Sequence, residues 1–307
     1  MSSFALVVNP VSGKGAARRA AQQAARHLRD QGLVVEIHET EGPGEATEWV
    51  RTHQEEFSAV VAIGGDGTLR EVIEGLDGNR TVGLVPTGTA NVVSRDLRIP
   101  RTTKKAVRIL AEGHTRHLDM GTVNGRPFLA MVGVGFDGAI VKALSDVRCG
   151  PISMASYIGP GLRTFRNYQP QELRVEVDSQ PLEHAIYGII VSNTRNYGGV
   201  FSVTPGASLD DGWLDFHAQS RFGKRALLRY AMAAALRRET SRRLSSYGRG
   251  RRFSVTSDSP VAVQVDGDTF GTTPIDIELV QSRVRILVPD RRITMRTSHE
   301  SNASPGN

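Results

Sequence analysis

Up to Asp119 the chain alternates short apolar runs with amphipathic stretches. Residues 4–8, 34–38, 59–63 and 82–85 read as strands. Between them, residues 16–31 (alanine-rich), 45–54 and 69–76 carry apolar positions at helical spacing, and a further helix starts from Ala90. This βαβα rhythm predicts an α/β domain with a mostly parallel sheet and helices on both faces. In such a domain phosphate ligands sit at the carboxyl ends of the strands, where loops run into helix N-termini.

After Asp119 the pattern changes. Residues 128–134, 173–177, 186–192, 214–218, 253–257, 261–265, 275–279 and 284–288 read as strands. Most are separated by turn residues, which predicts a second, β-rich and mainly antiparallel domain. Helices at 139–147 and 224–240 interrupt it. No internal repeat or low-complexity linker is visible, so two closely packed domains around a cleft are expected. Their spans are residues 1–120 and 121–289, with 299–307 a solvated tail.

Composition changes this picture little. Apolar residues make up 39% and charged residues 23%, a globular balance. The single cysteine, Cys149, excludes an internal disulfide framework and fits a reducing cytoplasm. The first residues, MSSFALVVNPVSGKG, lack the basic-then-apolar order of a signal peptide. The longest apolar helical stretch, residues 230–236, is too short to span a bilayer, so a membrane substrate would be met from the water side.

Charge adds more. The net charge is +6, yet residues 221–252 hold eleven Lys or Arg against one acid, Glu239, or +10 in that segment alone. The remainder is slightly acidic. Such a block suits anionic lipid headgroups or nucleic acid, or forms a solvated arginine-rich face. Aromatic residues do not interleave with it as single-stranded nucleic acid requires, so no nucleic-acid partner is expected.

The strongest chemical signal is Gly64-Gly65-Asp66-Gly67-Thr68, between the apolar strand 59–63 and the next helix. Glycines let backbone amides approach phosphate oxygens closely, and Thr68 offers a helix cap and a hydroxyl. Asp66 has no evident structural duty in so flexible a turn. A carboxylate beside phosphates either holds a metal or accepts a proton. Two further segments follow strands in the same way: Asn9-Pro10-Val11-Ser12-Gly13 and Pro86-Thr87-Gly88-Thr89-Ala90-Asn91. The eight histidines lack the paired spacing of a metal site.

The order and placement of these three segments resemble the diacylglycerol kinase catalytic domain, within the superfamily that includes NAD kinases, phosphofructokinases and sphingosine kinases. The resemblance covers nearly the whole chain. It implies that ATP and Mg2+ bind along loops carrying Asn9, Ser12, Gly13, Thr40, Gly64, Gly65, Asp66, Gly67, Thr68, Thr87, Gly88, Thr89 and Asn91. It implies that His117-Leu118-Asp119-Met120-Gly121 is a crossover whose Asp119 joins a magnesium network near the phosphates. Residues 205–214 resemble a loop binding a structural magnesium through Asp211 and the backbone oxygens of Ser208 and Trp213; read from the residues alone, a plain hairpin turn is the alternative. Gln264-Val265-Asp266-Gly267-Asp268 resembles an Asp-Gly-Glu element whose Glu is the general base. Here that Glu is replaced by Asp268, shorter by one methylene, which puts turnover in question. Residues 133–137 correspond to a region lining the acceptor pocket. By the same resemblance, residues 290–298 return to the first domain.

The reading is therefore an ATP-dependent lipid kinase, with Asp268 and Asp66 as the candidate catalytic carboxylates and a lipid such as diacylglycerol as acceptor. Peripheral association with the anionic inner face of the membrane is expected, and a homodimer stays open. Two alternatives are a related kinase acting on a soluble acceptor such as NAD, and a non-catalytic lipid- or nucleotide-binding regulator.

Overall fold

The computed structural model describes residues 3–78, 80–146, 158–198, 202–221, 223, 226 and 245–290. In chain order the first half runs β1 (Ser3–Val8), α1 (Ala16–Arg29), β2 (Val34–Glu39), α2 (Glu45–His53), β3 (Ala59–Gly64), α3 (Asp66–Gly75), β4 (Thr81–Pro86), α4 (Val92–Asp96) and α5 (Thr103–Glu112). The strands pair in the order β2-β1-β3-β4, all parallel. Every residue of β3 and β4 is buried, as expected of central strands covered on both faces. Helix α1 buries a stripe of small residues, Ala17, Ala20, Ala21, Ala24 and Ala25, ending at Leu28. Their spacing follows the helical repeat, and their size lets the helix lie close to the sheet.

The second half continues with β5 (Thr115–Val123), β6 (Arg126–Phe128), β7 (Met131–Gly135), α6 (Phe136–Asp146), α7 (Ile158–Asn167), β8 (Leu173–Val177), β9 (Gln180–Pro181), β10 (Gly188–Ser192), β11 (Leu214–Gln219), β12 (Ser245–Gly250), β13 (Arg252–Ser257), β14 (Ala262–Val265), β15 (Asp268–Thr272) and β16 (Ile275–Leu287). An antiparallel sheet, β12-β11-β10-β7-β14-β15, faces a second layer made of β5, β8, β13 and the first part of β16. Phe128, Val132, Ile189, Phe216, Phe253 and Ile277 fill the space between them.

One strand joins the two halves. Residues 275–279 and 284–288, expected as separate strands, form the single long strand β16. Its start pairs with β13 and its end pairs in parallel with β4, while β5 runs antiparallel along both parts. The first domain's sheet is thus completed by residues of β16, and β5 spans the expected boundary at residue 120. The expected returning segment 290–298 lies outside the described residues from 291 onward. So does the helix at 224–240, apart from Ala226, and with it most of the basic block.

The ladder between β5 and β16 is interrupted between Val280 and Val284, where Ser282 adopts a left-handed backbone (φ 50°). Asp119, 4% exposed, holds this bulge. Its Oδ1 accepts the Ser282 amide at 2.8 Å, and its Oδ2 accepts the Gly212 amide at 2.7 Å. The buried Gly212 amide left without an acceptor costs about 1–3 kcal/mol, and the half-buried Ser282 amide adds less. Asp119→Ala is therefore expected to lower unfolding stability by roughly 3 kcal/mol, read from the midpoint of a urea transition.

Candidate active site

The loops after β1, β3 and β4 are tied together by their own backbone. The Asn9 amide donates to the Ile63 carbonyl at 3.1 Å, and the Thr87 and Gly88 amides donate to the Gly64 carbonyl at 2.8 and 3.2 Å. Thr87 Oγ1 donates to Ser12 Oγ at 3.0 Å, and both the amide and hydroxyl of Thr40 donate to the Val8 carbonyl. Two glycines make this possible. A Cβ on Gly13 (φ +60°) would sit 2.4 Å from the Thr87 carbonyl oxygen, and one on Gly88 would sit 2.5 Å from Gly65 Cα. The three segments singled out from sequence form one surface because their backbones nearly touch.

Several residues do something other than the sequence implied. Asn9 Oδ1 accepts the Val11 amide at 3.2 Å and shapes its own loop. Asn91, 2% exposed and left-handed (φ 48°), donates from Nδ2 to the Gly88 carbonyl at 2.7 Å, and the helix expected from Ala90 begins only after it. Thr68 does not cap α3. Gly65 stands at the cap position and no side chain caps the helix there, while Thr68 lies buried inside the first turn. The α3 N-terminus thus keeps its amides for another acceptor, a geometry suited to anions.

Asp66 proves to have a structural duty. Its two oxygens accept the Val92 and Val93 amides at 2.9 and 3.1 Å, capping α4 from a neighbouring loop. Burial pushes its carboxyl above the usual range; the two amides oppose this and the charge of Asp266 adds to it. Asp266 stands at the centre of the segment 264–268. Its carboxylate accepts the amides of Leu129, Ala130 and Met131 at 2.9, 2.8 and 3.0 Å. That collar explains why residues 128–134 are broken between β6 and β7 rather than forming one strand. Burial raises the Asp266 carboxyl too, against those amides and the charge of Arg70.

Asp268 begins β15 with its side chain 53% exposed, 3.5 Å from Arg70 Nη2. The turn that carries it is held by Gln264, whose Oε1 accepts the Gly267 amide at 2.8 Å. Gln264 Nε2 donates at 2.8 Å to Asp137 Oδ2, and the other oxygen of Asp137 accepts from the Tyr197 hydroxyl. Asp137 itself is pushed well up by burial. A cleft of about 1040 Å³ runs between the domains. Asn9, Thr40, Thr68 and Arg70 line it from one side, Leu144 and Asp268 from the other. Arg70 is the residue that sequence reasoning missed. Its signal was a lone cation within the apolar pattern Leu69, Val72, Ile73 of α3.

Asp119 does not join the phosphate loops. It belongs to the loop of Ser208, Asp211 and Trp213, through Gly212 and through the Asp119 amide, which donates to the Leu209 carbonyl at 2.7 Å. In that loop Asp211 Oδ1 accepts the Trp213 amide at 3.2 Å, and Oδ2 lies 3.5 Å from Arg249 Nη1. Burial raises the Asp211 carboxyl, Arg249 lowers it, and the charges of Asp119 and Asp210 raise it further. Two nearby carboxylates and carbonyl oxygens are the hard donors that magnesium takes. Among the described residues no three His, Cys, Asp or Glu side chains form a metal cluster.

Residues 3–123 match the diacylglycerol kinase catalytic domain, and residues 130–288 match the YegS C-terminal NAD kinase beta sandwich-like domain. The chain belongs to the diacylglycerol kinase family. It is 26% identical to a diacylglycerol kinase of Bacillus subtilis over 95% of this chain and 98% of that protein. It is 27% identical to one of Staphylococcus saprophyticus over 93% and 95%. The crystal structure of a diacylglycerol kinase from Bacillus anthracis superposes with a TM-score of 0.71 at 22% identity, over 94% of this chain and 97% of that one. An NAD kinase from Archaeoglobus fulgidus in complex with ATP shares the fold at a TM-score of 0.52 and 13% identity, over 99% and 100%. Membership of this family makes the protein a kinase, a transferase. No helix among the described residues is long and apolar enough to cross a membrane.

Proposed function

We propose that this kinase transfers the γ-phosphoryl group of ATP to a lipid hydroxyl, diacylglycerol being the acceptor that its relatives' names point to. The observation that carries the reading is the cleft itself. It places the uncapped start of α3 and the loops after β1 and β2 on one wall and a half-exposed carboxylate, Asp268, on the other. The loops after β1, β3 and β4 hold the triphosphate through backbone amides and the hydroxyls of Ser12, Thr68 and Thr87. Asp268 takes the proton of the acceptor hydroxyl, whose oxygen forms the new bond to phosphorus as the bond to the ADP oxygen breaks. Leu144 and Val141, both buried on the second-domain wall, offer apolar surface to a lipid.

Magnesium, when bound beside the nucleotide, would supply charge neutralisation on the transferring group, and Asp66 would be the carboxylate that holds it. Asp119, Asp211 and the carbonyls of Ser208 and Trp213 are the residues that would hold a second, structural ion, which would supply charge neutralisation between the two carboxylates.

Incubation with γ-labelled ATP, magnesium and mixed micelles of candidate lipids tests the reading. The expected product is a labelled lipid phosphate, resolved by thin-layer chromatography. Label appearing on NAD instead would assign a soluble acceptor. Absence of transfer to every acceptor would point to a regulator that binds without turnover.

The basic block predicts how the enzyme reaches its substrate. Binding to vesicles is expected to require anionic lipid and to weaken with salt, at about 1 kcal/mol per basic residue near the surface. Replacing Arg237, Arg238, Arg242 and Arg243 by Gln should reduce that binding in a sedimentation assay; equal binding to neutral vesicles would refute the surface assignment.

A further inference from the structure

Arg70 is 6% exposed, and two of its guanidinium nitrogens, Nε and Nη1, find no acceptor among the described residues. Its third nitrogen reaches the half-exposed Asp268 at 3.5 Å, a long contact for an ion pair and its one partner among the described residues. A guanidinium stays charged at any working pH, and buried donors in folded proteins are almost always paired. Such a group, lining a cleft, is poised for an anion. Its planar fork matches the oxygens of a phosphoryl group in particular.

Position selects which phosphoryl group. Arg70 stands on α3 one turn beyond Asp66, and long helical side chains lean back toward the N-terminus of their helix. It therefore lies between the uncapped start of α3 and the Asp268 turn of the opposite domain. This is the path a phosphoryl group takes from nucleotide to acceptor. We infer that Arg70 binds the oxygens of the phosphoryl group in transit, and that Asp268 holds the guanidinium in place between turnovers. The inference deepens the lipid kinase reading and rests on it for the acceptor alone. Asp266 assists from behind, since its carboxylate is pinned by three amides close enough to Arg70 for their charges to interact. Charge that develops on the transferring group is then met by a fixed cation that requires no reorganisation at the moment of reaction.

The test compares wild type with Arg70→Gln, Arg70→Met and Arg70→Lys. For Arg70→Gln, kcat is expected to fall about 10²–10³-fold, the usual loss for one such donor. KM for ATP should move by less than roughly tenfold, because the glycine loops remain. Arg70→Lys should recover part of kcat, since it restores charge without the fork. Independently of turnover, inorganic phosphate should raise the thermal unfolding temperature of wild type more than that of Arg70→Gln or Arg70→Met, in which only the backbone amides of the loops remain to bind it. A kcat for Arg70→Gln within about threefold of wild type would overturn the inference. Equal stabilisation of all forms by phosphate would overturn it too. If Arg70→Gln fails to fold, Arg70→Lys and Arg70→Met decide by the same two measurements. If wild type phosphorylates no acceptor, the lipid reading fails, and the phosphate-stabilisation comparison still decides the role of Arg70.

Discussion

Asp268→Asn is expected to lower lipid phosphorylation by about 10²–10⁴-fold at saturating ATP, the contribution of a positioned general base. An amide cannot accept the hydroxyl proton. The fold should not suffer. The side chain is half in solvent, and a long ion pair of that kind adds little stability. ATP affinity should hold, because the loops proposed to bind the nucleotide belong to the other domain. Asp268→Glu is the informative companion. Gly267 before it takes a left-handed turn (φ +88°) whose amide is anchored by Gln264, so the backbone stays put while an exposed side chain gains one methylene. Retained or increased activity is expected. Initial rates of labelled lipid formation across pH, for all three proteins, measure this. Comparable rates for wild type and Asp268→Asn would move the base to Asp66.

The α/β domain was legible in the sequence because its strands are apolar on both faces and each is followed by a turn and an amphipathic helix. The β-rich half was legible as strands but not as pairings. Residues 275–279 and 284–288 looked separate because Gln281, Ser282 and Arg283 interrupt the apolar pattern. The structure shows those polar residues at a bulge held by Asp119. A local pattern cannot report a carboxylate 163 residues away. The same limit explains Asp66. In sequence it stands in a flexible glycine turn, with no hint that the amides of Val92 and Val93 close on it from another loop. The three loops that converge after β1, β3 and β4 were legible, since glycine-rich segments advertise themselves. Arg70 and Asp266 were not, because their meaning lies in what folds against them.

Asp66→Asn is expected to abolish phosphoryl transfer and, contrary to the simple glycine-turn picture, to change stability as well. The carboxylate accepts two amides at once, one on each oxygen. Asparagine offers a single oxygen, so its NH2 group must face one of those amides. The α4 cap is half lost, worth about 0.5–2 kcal/mol. The opposing effect is electrostatic. Burial and the nearby Asp266 charge raise the folded pKa of Asp66 above its unfolded value, so its ionised form is disfavoured in the folded protein. The contribution of such a group is fully present below the unfolded pKa, near 3.9, and is lost as pH rises through the folded pKa. Relative to the neutral variant, wild type should therefore gain stability as pH falls through the folded pKa toward the unfolded one. Urea unfolding of both proteins at several pH values measures the difference, and a gap independent of pH would show that Asp66 is not strained by its burial. Transfer must be lost at every pH, since the amide neither meets a cation nor takes a proton beside the phosphates. Near-normal turnover by a folded Asp66→Asn protein would remove the glycine loop after β3 from the phosphate site.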